Sequence, residues 1–322
     1  MNSRHPLLTA TIAPLGLLTT VTLSWAQAFP ERPVTMVIPV AAGSGSDVLG
    51  RFIADALSED WGQPVVVENL PGAGTVIGSE RVAHSEPDGY TILFNSNNYT
   101  IQAAVAPDLP FDPINDLVPI ALAAHSDMVL VAGSRTPLAS LEDVITTAQQ
   151  QRLYYGATGT SSTGAFLIGM LNDAAGVDIE VVNYSGAPEA SADLAGGRLD
   201  LYGGSLATLL PIIESGGATP VAVASPERSA FAPDVPTTAE AGYPTVLMQP
   251  WYGFFVPAGT PDGIIDKINA DITAALETPE ADAFMENVQA RVATMSPDEF
   301  TDYVHADIDE MRRVAELAGM IE

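Results

Sequence analysis

The sequence predicts a two-lobed α/β protein whose sheets are mostly parallel, carry helices on both faces and enclose a ligand cleft between the lobes. Three observations predict this fold. The chain has 322 residues, enough for two domains. Hydrophobic residues make up 47% and charged residues 16%, which is typical of a chain that forms a core. Short apolar segments of strand length also alternate with segments of helical spacing.

The first lobe opens with three predicted strands separated by helices. The strands are expected at 34–40, 64–68 and 90–94, with helices at 47–61 and from the Gly-rich turn 71–74 to about His84. Such fully apolar strands are typical of a sheet that is buried on both faces.

The second lobe repeats this alternation. Strands are predicted at 128–132, 153–156, 179–182, 199–202 and 220–224, and helices at 141–151, 163–175, 188–195 and 206–215. A Pro- and Gly-rich segment, 226–262, follows and contains a strand at 251–256; the closing helices are expected at about 261–276 and 297–317. We expect the chain to cross between lobes near 123–127 and 225–233, giving a first lobe of residues 29–125 and 229–322 and a second lobe of residues 126–228.

Residues 1–28 have the pattern of a secretory signal peptide. Arg4 and His5 precede the apolar stretch 7–23, and Ala26-Gln27-Ala28 is a small-x-small cleavage site. The alternative is a membrane anchor, but threonines and Pro14 interrupt the stretch. We therefore expect cleavage after Ala28 and export to the periplasm.

The charge balance excludes one large class of partner. Forty acidic residues face twelve basic ones, a formal charge of -28, whereas nucleic-acid binding needs clusters of Lys and Arg. Such acidity suits either a saline habitat or an ordinary acidic secreted protein. There is no cysteine, which excludes disulfides and thiolate chemistry.

Enzyme motifs are missing from the sequence. His84, His125 and His305 show no metal-binding spacing, and the single lysine, Lys267, belongs to no phosphate-binding loop. The segments 159–163 and 203–207 resemble the nucleophile motif G-x-S-x-G, but both lack its final glycine. We expect no catalytic residue, no metal site and no cofactor.

One segment approximates a dinucleotide-binding motif. Gly72, Gly74 and Gly78 resemble G-x-G-x-x-G, but the third glycine is displaced by one residue. An apolar strand at 90–94 stands where an NAD-binding acid is expected. A tight turn before a helix is the favoured interpretation.

Two loops rich in Gly and hydroxyl residues each follow a strand and precede a helix, at 42–47 and 156–163. Free backbone N–H groups at a helix N-terminus and the positive end of the helix dipole attract anions. Ordinary helix caps also prefer Ser, Thr and Asp, which is the alternative. Two such loops in successive lobes favour an anion site in the cleft.

Seven segments in order resemble the periplasmic solute-binding proteins of tripartite tricarboxylate transporters, the Bug family. They are FPERP at 29–33, VIPVAAG at 37–43, GQPVVVEN at 62–69 with PGAG at 71–74, PDGYT at 87–91, LPFDP at 109–113, the segment 234–242 and PAGTP at 257–261. The resemblance covers essentially all of the chain after residue 28.

This resemblance implies a periplasmic-binding-protein type II fold that closes on a small organic acid and delivers it to membrane permease subunits, with a monomer as the default state. It also implies a set of ligand-binding residues on the two Gly-rich loops and nearby. These are Ser44, Gly45, Ser46, Asp47, Asn97, Thr160, Ser161, Ser162, Thr163 and Tyr184.

The chain departs from the family pattern at three positions. Ser44 replaces a usual glycine, Ser185 replaces a lysine, and Gly164 stands where the family commonly has a histidine. Fewer cationic groups favour a monocarboxylate or weakly polar ligand. Two other functions stay open at this point: a secreted serine hydrolase of small esters using a serine of 159–163, and a receptor that presents its ligand to a sensor protein.

Overall fold

A computed structural model describes residues 29–106, 108–134, 138–159, 161–184 and 186–321. The predicted signal peptide at 1–28 lies outside these residues. Eleven strands form two sheets in the described part of the chain. The strands are β1 Val34–Ile38, β2 Val65–Asn69, β3 Thr91–Ser96, β4 Leu117–Ser126, β5 Met128–Gly133, β6 Tyr154–Ala157, β7 Glu180–Asn183, β8 Leu201–Ser205, β9 Ala218–Val223, β10 Trp251–Pro257 and β11 Ala290–Val292.

Both sheets are mixed, and the prediction of mostly parallel sheets is wrong in that respect. The first sheet has the order β11-β4-β10-β3-β1-β2, and only the β1–β2 and β1–β3 pairs are parallel. The second has the order β7-β6-β8-β5-β9, in which β5 runs antiparallel to both neighbours. Strands that carry the chain between lobes lack the crossover helix that a parallel pair requires, so they pair antiparallel.

Ten helices flank the sheets in the described residues. They are α1 Gly45–Trp61, α2 Val76–Ala83, α3 Asn98–Val105, α4 Leu141–Ala148, α5 Thr163–Ala175, α6 Ala187–Gly196, α7 Leu206–Glu214, α8 Asp262–Leu276, α9 Pro279–Val288 and α10 Pro297–Leu317. Most agree with the predicted helices within a few residues, whereas α3, α9, β4 and β11 were not predicted. Gly62 ends α1 in the left-handed conformation that glycine adopts without strain, with φ of 61°. None of the described helices is long and apolar enough to span a membrane.

Each lobe has its own apolar core. Met36, Phe94 and Phe254 lie in the core of the first lobe, and Tyr155 and Phe166 in that of the second. The sequence pattern predicted this because nearly every apolar strand residue becomes buried between its sheet and the covering helices.

The segment after β9 packs on the second lobe before the chain returns. Thr237 pairs with Val223, and the N–H of Met248 donates to the Ala224 carbonyl at 2.9 Å. Val246 and Met248 are buried in the second core. The second crossing therefore lies at Gln249–Pro250 instead of the expected 225–233, while the first lies at Asp127, within the expected range.

Helix α10 packs against both lobes. Phe300, Val304 and Ile308 on its first part are buried against the first sheet. Met311 and Val314 on its second part belong to the core of the second lobe. The C-terminal helix thus bridges the lobes on a path separate from the two strand crossings.

Gly253 in β10 provides a test of this packing. A Cβ atom there would overlap the Phe300 ring and come within 3.0 Å of the Ala121 carbonyl oxygen. We expect Gly253→Ala to lower the free energy of unfolding by about 1–3 kcal/mol, because neither sheet nor helix can yield without strain. Urea unfolding measures this effect. Gly263→Ala is the control, since its Cβ meets nothing within 4 Å; equal stability of the two variants would contradict the packing.

Candidate ligand-binding cleft

A cavity of about 650 Å³ lies between the two lobes. Its walls come from the carboxyl ends of strands and the N-terminal ends of helices in both lobes. Ser126, Met128 and Pro250 at the two crossings complete them. The lining residues are Ser46, Gly74, Ser96, Asn97, Asn98, Gln102, Ser126, Met128, Thr158, Gly159, Ser161, Ser162, Thr163, Gly164, Ala187, Tyr202, Gly203, Gly204, Ser205, Thr208, Pro250 and Tyr252.

The described lining contains no Asp, Glu, Lys, Arg or His. It consists instead of hydroxyl, amide and backbone groups, many of them at the first turn of a helix. Ser46 belongs to α1, Asn97 precedes α3, Ser162 precedes α5 and Ser205 precedes α7. Four helices from two lobes thus direct unpaired N–H groups and the positive ends of their dipoles toward one cavity, an arrangement that suits an anion.

The structure brings together half of the ligand residues implied by the family resemblance. Those that line the cavity are Ser46, Asn97, Ser161, Ser162 and Thr163. Those that lie outside its lining are Ser44, Gly45, Asp47 and Tyr184. Thr160 falls outside the described residues.

Asp47 stabilises the first Gly-rich loop, 42–47, and is not among the residues that line the cavity. Its carboxylate is almost wholly buried and accepts hydrogen bonds from the Gly43 N–H at 2.7 Å, Arg51 Nε at 2.9 Å and Asn69 Nδ2 at 2.8 Å. Burial by itself raises the pKa of Asp47, but these hydrogen bonds and the Arg51 charge outweigh it and hold the pKa below its usual value. Asp47 thereby shapes the loop while its negative charge is compensated away from the ligand space.

Two serines have the cap role considered from the sequence. Ser44 Oγ accepts from the Asp47 N–H at 3.3 Å and caps α1. Ser162 Oγ accepts from the Ala165 N–H at 3.3 Å and donates to the Gly159 carbonyl at 2.8 Å. Capping and cavity lining therefore coexist at Ser162, because a cap residue sits beside the free N–H groups of its helix.

Tyr184 is held away from the cleft by a carboxylate. Its hydroxyl donates to Asp193 at 2.9 Å, and Asp193 is itself paired with Arg198. Burial and the neighbouring Asp193 raise the pKa of Tyr184. The tyrosine thus stabilises the outer part of the second lobe.

A third polar loop escaped the sequence reasoning. Gly203, Gly204 and Ser205 end β8 and precede α7, in the same strand–glycine–hydroxyl–helix order as the two predicted loops. That pattern could have identified it. Ser126 and Tyr252, by contrast, reach the cleft only because the chain crossings bring them there, which no local pattern reveals.

The cleft offers no base for a serine nucleophile. Ser161 and Ser162 share it with neutral side chains, and His84, His125 and His305 are all absent from its described lining. Burial and the adjacent Arg291 charge also lower the pKa of His125 to about 4. Among the described lining residues there is no His, Asp, Glu or Lys that could accept the proton of a serine, so this geometry does not support the hydrolase alternative.

Comparison with known proteins agrees with this geometry. Residues 49–320 match the sequence profile of the tripartite tricarboxylate transporter family receptor. The chain belongs to that family. It is therefore a solute-binding receptor of the periplasmic type with a two-lobed α/β fold, and the family is one of receptors, not enzymes.

Relatives match over nearly their whole length. Protein BugT of Bordetella pertussis is 32% identical over 301 residues, which covers 91% of each chain. An R. palustris protein solved with adipate has a TM-score of 0.80 and 31% identity, covering 90% of this chain and 98% of its own. MatC from Rhodopseudomonas palustris, solved with bound malate, has a TM-score of 0.75 and 30% identity over 89% and 99% of the two chains.

Replacing Asp47 tests its role in shaping the loop. Because its native pKa is lowered, its contribution to stability is present above the ordinary carboxyl pKa and is lost as the pH falls through the native pKa. We expect Asp47→Asn to lower the free energy of unfolding at pH 7 by about 1.5–3 kcal/mol, the usual value of charge-assisted hydrogen bonds.

Denaturant unfolding of both proteins between pH 7 and about pH 3 would measure the effect, and the difference should shrink at the acid end. Asp55→Asn is the matched control, since Asp55 is exposed on the same helix. A stability difference that does not change with pH would contradict this account of Asp47.

Proposed function

We propose that the protein is an exported receptor that captures a small organic carboxylate by lobe closure and delivers it to the membrane permease subunits of a tripartite transporter. The observation that carries the proposal is the cleft itself. Helix N-termini from both lobes converge there on a cavity that contains neutral hydrogen-bond donors and no described acidic side chain.

Short-range donors make anion binding compatible with a very acidic chain. The formal charge of -28 repels anions at long range. Inside the cleft, each hydrogen bond to a carboxylate contributes about 1.5–3 kcal/mol, so several N–H and O–H donors together offset that repulsion. Relatives solved with adipate and with malate support a carboxylate as the ligand class.

No cationic side chain is present in the described lining, which restricts the class of ligand further. A second carboxylate would also depend on neutral donors alone, and each added charge increases the repulsion from the acidic chain. We therefore favour a ligand with one carboxylate and a neutral polar remainder.

Closure would occur about the two crossings. Asp127 alone joins β4 to β5, and Gln249–Pro250 leads into β10. A ligand that contacts donors of both lobes stabilises the closed form more than the open form, which is the requirement for ligand-driven closure.

The remaining features of the proposal come from the sequence. They are removal of residues 1–28, release into the periplasm, a monomeric state and the absence of any bond-making step. The described cleft lining contains no base beside its serines, which supports the proposal that the protein makes or breaks no bond.

A thermal-shift screen tests the proposal directly. The mature chain from Phe29, stripped of ligand by unfolding and refolding, would be heated with propionate, lactate, benzoate, malate, adipate and citrate. A ligand at 100 times its Kd adds about 2.7 kcal/mol of stability, which raises Tm by several degrees. No shift with any acid, combined with hydrolysis of p-nitrophenyl acetate, would support the hydrolase instead.

Ser161 on the second loop gives a residue-level prediction. If its hydroxyl donates to the ligand carboxylate, Ser161→Ala should raise the Kd of the acid found in the screen by about 5- to 150-fold, or 1–3 kcal/mol. Isothermal titration calorimetry measures Kd. Ser215→Ala, an exposed position at the end of α7, should leave Kd unchanged. Equal affinities of all three proteins would make the loop a helix cap only.

A further inference from the structure

Asp307 is a carboxylate that the binding reaction described above does not use. It lies on α10 between Val304, which packs in the first lobe, and Met311, which packs in the second. Among the described residues, no basic side chain forms an ion pair with it. Its Oδ2 instead accepts from Trp251 Nε1 at 2.9 Å and lies 2.6 Å from Thr100 Oγ1.

Both hydrogen-bond partners of Asp307, Thr100 and Trp251, also contact the backbone of Asn97, which lines the cleft. The N–H of Asn97 donates to the Trp251 carbonyl at 3.2 Å, and Thr100 Oγ1 lies 2.9 Å from the Asn97 carbonyl oxygen. Asn97, Thr100 and Trp251 are all buried. Two hydrogen-bonded paths therefore lead from Asp307 to Asn97 in the cavity wall, one through Thr100 and one through Trp251.

The turn that these contacts support is not capped by the Asn97 side chain; the Asn98 N–H instead donates to Ser96 Oγ at 3.4 Å. Asn97 precedes α3 but makes no side-chain hydrogen bond to the first turn of that helix, unlike Ser44 and Ser162 at the other two loops. The Asn97 backbone contacts the Trp251 carbonyl and the Thr100 hydroxyl, and both of those residues hydrogen-bond to Asp307 through their side chains; the Asn97 amide also lies 3.9 Å from Met248 Sδ. Trp251 also begins β10 directly after the cleft residue Pro250, so the network reaches the second crossing.

We propose that Asp307 is a positioning residue for ligand binding, which fixes the Asn97 turn in the cleft through Thr100 and Trp251. The part of this inference that concerns ligand rests on the proposed function. The part that concerns the turn stands on the hydrogen bonds alone.

The proton on the Thr100 hydroxyl makes the network sensitive to the charge of Asp307. Thr100 has one hydroxyl proton and two oxygens within reach, on Asp307 and on Asn97. An ionised Asp307 accepts the hydrogen bond from the Thr100 hydroxyl, which then has no proton to donate to the Asn97 carbonyl. A protonated Asp307 donates to the hydroxyl, which then donates to the Asn97 carbonyl and holds the turn more firmly.

The surroundings of Asp307 shift its pKa upward and so favour the protonated form. Burial raises the pKa of Asp307, and Glu310 one turn along α10 raises it further. Tyr303 on α10 and His125 on β4, whose rings are in contact, are the other titratable groups on this side. Residues 98–105 of α3 contribute Tyr99, whose hydroxyl donates to the Pro113 carbonyl at 2.5 Å and whose pKa is raised by burial.

Hydrogen–deuterium exchange of the ligand-free protein tests the turn without any ligand. Asp307→Leu and Thr100→Val should speed exchange of the Asn97 and Ile101 amides at least about fivefold, because both amides belong to the supported turn. Asp309→Leu is the matched control, since the Asp309 side chain is 80% exposed on the same helix. Unchanged exchange in a folded Asp307→Leu protein would overturn the proposal.

Ligand affinity is then measured with two probes, the monocarboxylate lactate and the dicarboxylate malate. We expect Asp307→Leu and Thr100→Val each to raise Kd at least about fivefold. The double variant should raise Kd by much less than the product of the two single increases, because the two residues act through one network. Asp307→Asn keeps an oxygen acceptor for Trp251 and Thr100, so its Kd should stay within about twofold of wild type.

The pH profile separates positioning from simple structural support. As the pH falls through the raised native pKa of Asp307, wild-type exchange at the Asn97 turn should slow relative to Asp307→Asn, which cannot titrate. A constant ratio would overturn the role of the Asp307 proton, and it can be measured even if Asp307→Leu fails to fold.

The outcomes distinguish the two proposals. If the wild type binds neither probe nor any other acid of the thermal-shift panel, the carboxylate assignment fails, while the exchange data still decide whether Asp307 holds the turn. If exchange rises but Kd for a probe that binds does not change, Asp307 has no role in binding and the inference is overturned.

Discussion

The passage of the chain from one sheet to the other at a single residue is the constraint on which the cleft depends. Asp127 alone separates β4 from β5, so the two sheets share one almost continuous strand path. Side chains alternate along such a path. Ser126 and Met128 consequently face the cleft, while His125 and Asp127 belong to the opposite side, where Arg291 pairs with Asp127 at 2.9 Å. The crossing thus presents the neutral Ser126 and Met128 to the cleft. The ion pair of Asp127 and Arg291 lies on the opposite side.

This separation of charge from the cleft agrees with the electrostatics of the whole molecule. A chain with a formal charge of -28 cannot attract an anion by its long-range field. The fold compensates at short range, where the dipoles and free N–H groups of helices from both lobes act over a few ångströms and lose little to ionic screening. Asp47, the acidic residue nearest the first loop, contributes to this arrangement by taking its hydrogen bonds from that loop, from Arg51 and from Asn69.

The C-terminal helix adds a third connection between lobes. Because α10 is packed in both cores, a rotation of one lobe against the other must bend it or shift one of its contacts. Asp307 lies where that change would occur and is joined by hydrogen bonds to both the cleft turn and the second crossing. Under the two proposals, ligand binding and lobe closure would be connected through this helix, which contributes no residue to the described cavity wall.

The sequence by itself predicted most of the helices and strands, though not α3, α9, β4 or β11, and it predicted a site built from polar helix N-termini. Apolar strand runs such as 34–38, glycine and hydroxyl residues before α1 and α5, and the ordered family segments were sufficient because each depends on neighbours within a few residues. Tertiary structure decided the rest. The antiparallel course of β5 and β10, the return at Gln249–Pro250 and the outward position of Tyr184 follow from contacts between distant segments. The α7 loop, Ser126 and Tyr252 join the cleft for the same reason: a binding site between lobes is defined by which strand ends meet in space, and local periodicity carries no information about that meeting.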